Sequence, residues 1–206
     1  MTKLTMIEGF AVPLPIENLD TDQIMPKQFL RIIDKAGLAN GLLYDLRFDA
    51  QGTARDACVL NQARYRGARV LIGGANFGCG SSREHAVWGL QQYGFDAVIA
   101  PSFAEIFYSN AMNNRLLLVQ LERGEVNQLL ELSEAPQTEA ASLRIDLEQQ
   151  KVSTADGRAF SFPLGARHKR MVMDGMDTID LTLAALPEIE AFERAHFSRQ
   201  PWAAVM

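Results

Sequence analysis

Apolar and polar positions in the centre of the chain alternate between short strands and amphipathic helices. Mainly apolar runs at 69–74, 96–101 and 115–121 predict three strands. Between them, the segment 82–94 carries apolar side chains at helical spacing, and 102–114 is predicted as a second helix. Parallel strands need crossovers of this length, whereas antiparallel strands can be joined by tight turns. The pattern therefore predicts a parallel β-α-β-α-β core with right-handed crossovers.

Residue types that favour helix ends stand at both strand-to-helix junctions. Ser81 or Ser82 can cap the first helix, which we expect to begin at about Ser82 and to end at Gly94. Ser102, with Glu105 three residues later, fits a capping box for the second helix. A serine cap is therefore expected for the second helix and is one interpretation for the first.

The first third of the chain has strand and loop character. Residues 6–15 form an apolar run broken by a glycine and two prolines, which predicts a strand with an irregular exit. Residues 17–26 contain Asn, Asp and Thr, which favour turns, and they predict a loop. Residues 27–48 have apolar side chains at roughly helical spacing, with Gly37 and Gly41 as stop signals.

The last third adds helices and a second kind of sheet. Residues 125–134 predict an amphipathic helix, and residues 143–164 predict two or three antiparallel strands around an Ala-Asp-Gly-Arg turn. Pro187 precedes a helix expected at 188–197, whose acidic side chains come first and basic ones last. The whole pattern predicts a mixed α/β fold, with a parallel core plus antiparallel strands, in a single domain spanning 1–206.

Composition and charge exclude several classes of protein. Hydrophobic residues make up 48% and charged residues 22% of the 206 residues, which is typical of globular proteins and not of disordered ones. The net charge is −5 and no basic run opposes it, so a nucleic-acid partner is not expected. No window approaches the ~18 apolar residues of a membrane span, and the N-terminus lacks the apolar run of a signal peptide. We expect a cytoplasmic protein without a membrane partner.

Cysteine content limits the metal chemistry of the chain. Only Cys58 and Cys79 are present, without C-x-x-C spacing. A zinc site or an iron–sulfur cluster normally needs three or four ligands, which these two thiolates cannot supply. Any cluster must therefore lie on another chain, and no metal is expected on this one. A disulfide between the two is not expected in a reducing compartment.

Residues 76–85 place unusual chemistry at the end of a strand: Asn-Phe-Gly-Cys-Gly-Ser-Ser-Arg-Glu-His. A helix start after a glycine-rich turn presents free amides that bind anions. A P-loop would need a lysine in place of Cys79, the dinucleotide fingerprint a third glycine in place of Arg83, and a serine-hydrolase elbow a glycine two residues after the serine. What remains is a serine hydroxyl whose charged form the amide dipoles and Arg83 would favour.

Two other interpretations stay open at this stage. The segment can be a plain strand–turn–helix junction whose serines only cap the helix. Cys79 and His85 can form a nucleophilic pair, although six residues across a turn do not by themselves bring the two side chains together.

Arg83 can bind a substrate carboxylate through two parallel bonds. Glu84 and His85 are expected to orient this arrangement or to form salt bridges elsewhere.

A resemblance to a known family is carried by three stretches: NFGCGSSREHAVWGLQQYGFDAVIAPSFAEIFYSNAMNN, the earlier NLDTDQIMPKQFL and the later DGMDTIDLTL. They resemble the small subunits of 3-isopropylmalate dehydratase, or isopropylmalate isomerase, in the aconitase superfamily. The resemblance implies a swivelling β/β/α domain that covers an active site on a separate large subunit, which carries a 4Fe–4S cluster. It also implies a heterodimeric hydro-lyase of leucine biosynthesis, which converts 2-isopropylmalate to 3-isopropylmalate through 2-isopropylmaleate.

The same resemblance assigns roles to individual residues. It implies that Ser81, the first serine of Gly-Ser-Ser-Arg, removes a carbon-bound proton next to a carboxylate, and that Arg83 binds a substrate carboxylate. Further side chains are implied to contact substrate or line its cavity: Ser82, Thr21, Asp22 and Lys27. Thr21 and Asp22 either orient Ser81 or substrate, or stabilise their own turn.

The resemblance also implies which segment selects the substrate. The segment 27–36 resembles the region that faces the variable substituent of the substrate, and Phe29, Leu30 and Ile32 suit either an isopropyl group or the core. A related hydro-lyase acting on citraconate, dimethylmaleate or homoaconitate is the alternative enzyme. A stand-alone anion-binding module would need only the amides and Arg83, and it would leave the paired serines and the Asp-Thr-Asp loop without a role.

Overall fold

One seven-stranded mixed sheet runs through the computed structural model, which describes residues 3–31, 36–135 and 141–203. Its strands are β1 (Met6–Leu14), β2 (Val70–Gly73), β3 (Ala97–Ala100), β4 (Leu117–Gln120), β5 (Ser142–Asp146), β6 (Lys151–Thr154) and β7 (Ala159–Ser161). Their order across the sheet is β4-β3-β2-β1-β5-β6-β7. The first strand of the chain therefore lies at the centre.

The central strand joins two kinds of sheet. β1 is parallel to β2, β2 to β3 and β3 to β4, with Ile99 opposite Val119. On its other side β1 pairs antiparallel with β5, and the sheet continues antiparallel through β6 to β7. The predicted parallel core and the antiparallel strands around 155–158 are confirmed. The sequence patterns did not indicate that β1 connects them.

Helices cover both faces of the sheet. Within the described ranges they are α1 (Thr21–Ile24), α2 (Leu38–Gly41), α3 (Tyr44–Arg47), α4 (Glu84–Tyr93), α5 (Glu105–Asn113), α6 (Arg123–Glu134), α7 (Ala166–Asp174), α8 (Thr178–Ala184) and α9 (Leu186–Arg199). Single 3₁₀ turns are formed by Lys27–Phe29, Val59–Asn61, Ala63–Tyr65 and Pro201–Ala203. None of the helices in the part of the chain that the structure describes is long and apolar enough to cross a membrane.

Each face of the sheet has its own apolar core, because successive side chains of a strand point to opposite faces. On one face Leu71 of β2 belongs to a cluster that includes Val87 of α4 and Phe107 of α5. On the other face Ile72 belongs to a cluster that includes residues of α6 and α7, such as Val126. The sheet is thus the middle of three layers, and its parallel strands are covered on both sides.

The helix after the glycine-rich turn starts later than predicted. α4 begins at Glu84, and its N-cap is Arg83, whose side chain makes no capping bond. Ser81 and Ser82 therefore precede the helix and do not cap it. The backbone turns before the helix instead, because Arg83 N donates to Ser81 O at 2.9 Å. The predicted end is confirmed, with Gly94 as the C-cap at φ 115°.

The capping box predicted from Ser102 is also wrong. The N-cap of α5 is Ala104, without a side-chain bond. Ser102 Oγ accepts instead from Asn76 N at 2.8 Å. The backbone around Phe103 pairs with Phe77: Phe77 N donates to Ser102 O at 3.1 Å, and Ala104 N donates to Phe77 O at 3.0 Å. Pairing between two distant loops has replaced the local cap.

The segment 27–48 is more broken than its apolar spacing predicted. It contains the 3₁₀ turn Lys27–Phe29 and the one-turn helices α2 and α3. Gly37 and Leu43 have positive φ angles of 85° and 50°, which interrupt a helical path. The predicted apolar positions Ile32 and Ile33 lie outside the described residues.

Candidate active site

Two loops leave the sheet side by side at the ends of β1 and β2. Because these strands are parallel and Leu14 lies opposite Gly73, both loops start at the same edge. Three backbone hydrogen bonds join them: Asn18 N to Ala75 O at 2.9 Å, Gly78 N to Leu19 O at 2.8 Å, and Thr21 N to Cys79 O at 2.8 Å. The Asp-Thr-Asp segment therefore lies alongside Gly-Ser-Ser-Arg.

The segment 17–26, predicted as a loop, contains the helical turn α1. Asp20 is its N-cap and accepts from Gln23 N at 2.7 Å, while Gln23 Oε1 accepts from Asp20 N at 3.0 Å. This capping box stabilises the turn without Thr21 or Asp22. Their two side chains are therefore available for contacts with the neighbouring loop.

Close packing of the protein itself requires glycine at two positions of the second loop. A Cβ at Gly74 would lie 2.5 Å from Ile16 O. Gly78 has φ 77°, and a Cβ there would lie 2.2 Å from Phe107 Cγ. Only glycine permits both the backbone conformation and the approach. These two glycines therefore allow the second loop to pack against the start of the first loop and against α5.

The hydroxyl of Thr21 holds the backbone of Ser81. Thr21 Oγ1 accepts from Ser81 N at 3.0 Å and donates to Ser81 O at 3.1 Å. Thr21 is buried, with 1% of its surface exposed, whereas Ser81 is exposed. A buried, well-packed side chain thus fixes the peptide of an exposed serine. The Ser81 hydroxyl itself stays accessible at the surface of this chain.

Asp22 forms an ion pair with Arg83. The Arg83 side chain is 17% exposed and the Asp22 side chain 47% exposed, so the cation is the more enclosed of the two. The guanidinium lies two residues after Ser81 and is partly neutralised by this carboxylate. The two candidates of the Asp-Thr-Asp segment therefore act on different residues, Thr21 on Ser81 and Asp22 on Arg83.

Ser82 and Lys27 are both exposed. Ser82 belongs to the loop between Ser81 and Arg83, while Lys27 begins the 3₁₀ turn after α1. Among the described residues, the structure gives Lys27 no ion pair with Asp22 or any other carboxylate. Phe29, from the predicted specificity segment, packs on Tyr44 with ring centroids 5.2 Å apart.

A pair of asparagines that the sequence analysis did not single out also joins the loops. Asn76 Nδ2 donates to Asn18 Oδ1 at 2.9 Å. The two residues have φ angles of 54° and 55°, in the left-handed region that asparagine tolerates better than most residues. In the sequence, this contact is indicated only by the position of each asparagine beside turn residues. The pairing itself depends on the tertiary fold.

The part of the chain that the structure describes offers no set of ligands for an iron–sulfur cluster. Cys58 and Cys79 are free, and Cys79 Sγ donates to Asn18 O at 3.2 Å. Across residues 3–31, 36–135 and 141–203, no three His, Cys, Asp or Glu side chains converge to hold a metal ion. These residues do not fit a 4Fe–4S cluster.

Curated relatives share this chain over nearly its whole length. The 3-isopropylmalate dehydratase small subunit 1 of Chromobacterium violaceum is 57% identical over 202 residues, which cover 98% of this chain and 94% of that protein. The 3-isopropylmalate dehydratase small subunit of Roseobacter denitrificans is 44% identical, covering 98% of this chain and 100% of that protein. A crystal structure of 3-isopropylmalate dehydratase from Methanocaldococcus jannaschii matches with a TM-score of 0.64 at 27% identity, covering 90% of this chain and 99% of that one.

Family comparison gives the class of the protein. The aconitase C-terminal domain family matches residues 1–124, which include both site loops, and LeuD_N matches residues 128–166. The fold is accordingly the α/β swivel domain of the aconitase superfamily. Within that superfamily, the chain belongs to the family of 3-isopropylmalate dehydratase small subunits.

Proposed function

We propose that this chain works as the small subunit of 3-isopropylmalate dehydratase in leucine biosynthesis, with residues 1–206 as a single domain. The reaction removes water from 2-isopropylmalate to form 2-isopropylmaleate and returns it at the neighbouring carbon to form 3-isopropylmalate. The observation that carries the proposal is the placement of an exposed serine and an enclosed arginine two residues apart, each held by the Asp-Thr-Asp segment.

Ser81 is proposed as the base. Its oxygen, as the alkoxide, takes the proton from the carbon next to a carboxylate, and the electron pair of that C–H bond becomes the new double bond as hydroxide leaves the neighbouring carbon. The alkoxide of a free serine is very unfavourable at neutral pH, so it needs nearby positive charge. Arg83 is a cation two residues away in the same loop, and Thr21 holds the Ser81 backbone through two hydrogen bonds.

Arg83 is proposed to bind a substrate carboxylate. A guanidinium has five N–H donors, so its ion pair with Asp22 leaves donors for a second carboxylate. Asp22 also holds the guanidinium in place, which reduces the entropy lost when substrate binds. Ser82 lies between the two groups and is proposed as a further contact. Lys27 is proposed as a second cation for a substrate carboxylate.

The remaining parts of the site are proposed to come from a partner large subunit, with this chain as half of a heterodimer. Ser81 is exposed, so a substrate on this chain alone would stay open to water, and its carbanion-like transition state would be poorly stabilised. We place the 4Fe–4S cluster on that subunit and leave departure of the hydroxide to the groups there. Location in the cytoplasm belongs to the same proposal.

Reconstitution with a cluster-loaded large subunit tests this function. The isolated chain should show no dehydratase activity, and the complex should turn over 2-isopropylmalate. Ser81→Ala should lower kcat of the complex by about 100-fold or more, as expected on loss of a general base. Ser109→Ala is the matched control, because Ser109 is an exposed serine on α5. Near-normal rates for the Ser81 variant would show that Ser81 is not the base.

A panel of related substrates tests which hydro-lyase this is. The same serine and arginine would serve citraconate, dimethylmaleate or homoaconitate, since each offers a carboxylate next to the reacting carbon. We expect the isopropyl-substituted acids to give the highest kcat/KM. A higher kcat/KM for another dicarboxylate would mean that Ser81 acts as proposed but on that substrate. Carboxylate binding without turnover of any member would favour an anion-binding module.

A further inference from the structure

Asn114, the residue that follows α5, forms side-chain and backbone contacts with one face of α4. Its Oδ1 accepts from Trp88 Nε1 at 2.7 Å, and its backbone oxygen accepts from Gln91 Nε2 at 2.7 Å. Its Nδ2 approaches Glu84 Oε1 at 3.5 Å and donates to Asn110 O at 2.9 Å. One residue therefore links the first, middle and last turns of α4 to the end of α5.

The spacing of the three partners explains why a single residue can reach them. Glu84, Trp88 and Gln91 are four and three positions apart, so their side chains lie along one face of the helix. Asn114 is itself fixed, because it is the C-cap of α5 and its backbone N–H donates to Asn110 O at 3.1 Å. The set of Asn114 and its three partners on α4 is called the α4 clamp below.

The start of α4 lacks the usual local restraint. Its N-cap, Arg83, makes no side-chain capping bond, and Glu84 is the first helical residue. An uncapped helix start frays more easily than a capped one. The contact of Glu84 with Asn114 is therefore a restraint on the turn that carries Arg83. Thr21 restrains the other end of the same short loop through Ser81.

We propose that Asn114 is a positioning residue for the reaction: through Glu84 and Trp88 it sets where α4 begins, and thereby where Arg83 and Ser81 lie. Among the described residues, no hydrogen bond or ion pair joins Asn114 to Ser81 or Arg83, so Asn114 is not proposed as a catalytic residue. This inference rests on the proposed function of Ser81 and Arg83. It adds a residue 31 positions away from Arg83 in the sequence to the set that determines the rate.

The test compares two adjacent asparagines in the complex with the large subunit. Asn114→Ala removes both side-chain contacts of the clamp, whereas Asn113→Ala alters an exposed asparagine of the same helix end. The amount of assembled complex is measured first, and kcat and KM are expressed per assembled complex. For Asn114→Ala we expect a fall of about 10-fold or more in kcat with a rise in KM, since small misplacements of reacting groups are costly. Asn113→Ala should match the wild type.

Variants of Glu84 test the same contact from the side of α4. Glu84→Gln keeps an oxygen that accepts from Asn114 Nδ2, whereas Glu84→Ala removes it. The clamp predicts that the glutamine variant keeps kcat within about 3-fold of wild type and that the alanine variant falls with Asn114→Ala. Equal losses for both variants would mean that the negative charge is required, which would overturn the clamp.

The outcomes also separate this inference from the proposed function. If the wild-type complex turns over 2-isopropylmalate and Asn114→Ala lowers only the melting temperature or the yield of complex, Asn114 is structural and the inference fails alone. If the wild-type complex has no hydro-lyase activity on any of the dicarboxylates, the proposed function fails first. The expected result is an active wild type with a changed kcat and KM in Asn114→Ala.

Discussion

Thr21 binds both backbone polar groups of Ser81 through a single hydroxyl, accepting from Ser81 N at 3.0 Å and donating to Ser81 O at 3.1 Å. The two residues are 60 positions apart in the chain. This contact joins the Asp-Thr-Asp segment to the serine that the proposed reaction uses. It therefore makes the position of the proposed base depend on a buried side chain in a different loop.

Removing the Thr21 hydroxyl should displace Ser81. In Thr21→Val both hydrogen bonds are lost while the side chain keeps its shape, and we expect kcat of the complex to fall by about 10-fold or more. The free energy of unfolding should fall by about 1–3 kcal/mol, since two backbone groups lose a buried partner. Steady-state kinetics and urea unfolding measure the two effects. Thr21→Ser keeps the hydroxyl and should retain most of the kcat and most of the stability. Equal kinetics in the valine and serine variants would show that the hydroxyl does not position Ser81.

Replacing the guanidinium of Arg83 by an amine should weaken substrate binding. Arg83→Lys keeps the positive charge and its attraction to Asp22 but loses the two parallel donors that match a carboxylate. We expect KM for 2-isopropylmalate to rise by about 10-fold or more, with kcat lowered as well. Arg66→Lys is the control, because Arg66 is exposed. A wild-type KM in Arg83→Lys would remove Arg83 from the carboxylate site.

The glycine at position 78 should be required for stability for two separate reasons. Gly78→Ala places a Cβ at φ 77° and 2.2 Å from Phe107 Cγ. Gly157→Ala is matched for the backbone alone, because Gly157 has φ 92° and nothing within 4 Å of a Cβ. We expect Gly157→Ala to cost about 1 kcal/mol of unfolding free energy, and Gly78→Ala to cost about 1–3 kcal/mol more through overpacking. Urea denaturation measures both, and equal costs would show that Phe107 moves away freely.

The buried histidine of α7 should make stability sensitive to acid. Burial lowers the pKa of His168 below its ordinary value of 6.5, and the side chain is 1% exposed with Tyr108 Oη 3.5 Å from its Nδ1. The unfolded chain therefore takes up this proton at a higher pH than the folded chain. The contribution of the neutral ring is complete above pH 6.5 and is lost as the pH falls toward the pKa of the folded state.

Unfolding free energies measured against pH check this expectation. From about pH 7.5 to about pH 5, the wild type should lose more stability than His168→Gln, by at most about 1.4 kcal/mol per pH unit for one proton. Carboxylates titrate in both proteins, so the difference between the two curves isolates His168. Parallel curves for the two proteins would show that the ring titrates alike in the folded and unfolded chain.

Local patterns were sufficient for most of the architecture. The apolar runs predicted β2, β3 and β4, and the apolar spacing within 82–94 predicted α4, because burial imposes a period on each element separately. The helix α5 was also predicted, although the capping box expected at its start is wrong. The predicted starts of α4 and α5 were wrong because a local pattern does not include contacts with distant segments. A serine cap is a local preference of about 1 kcal/mol, and the pairing of the Ser102 segment with Phe77 outcompeted it.

The sequence alone determined the chemistry of the site: a serine, an arginine, glycines where the backbone demands them, and an Asp-Thr-Asp segment with matching polar groups. Only the tertiary structure decided which of these groups meet. Thr21 reaches Ser81 and Asp22 reaches Arg83 because the parallel strands β1 and β2 end at the same edge of the sheet. Asn114 reaches Glu84 because α4 and α5 pack against each other. Hydrogen bonds between such segments follow from the packing of the core, which no local pattern of residues encodes.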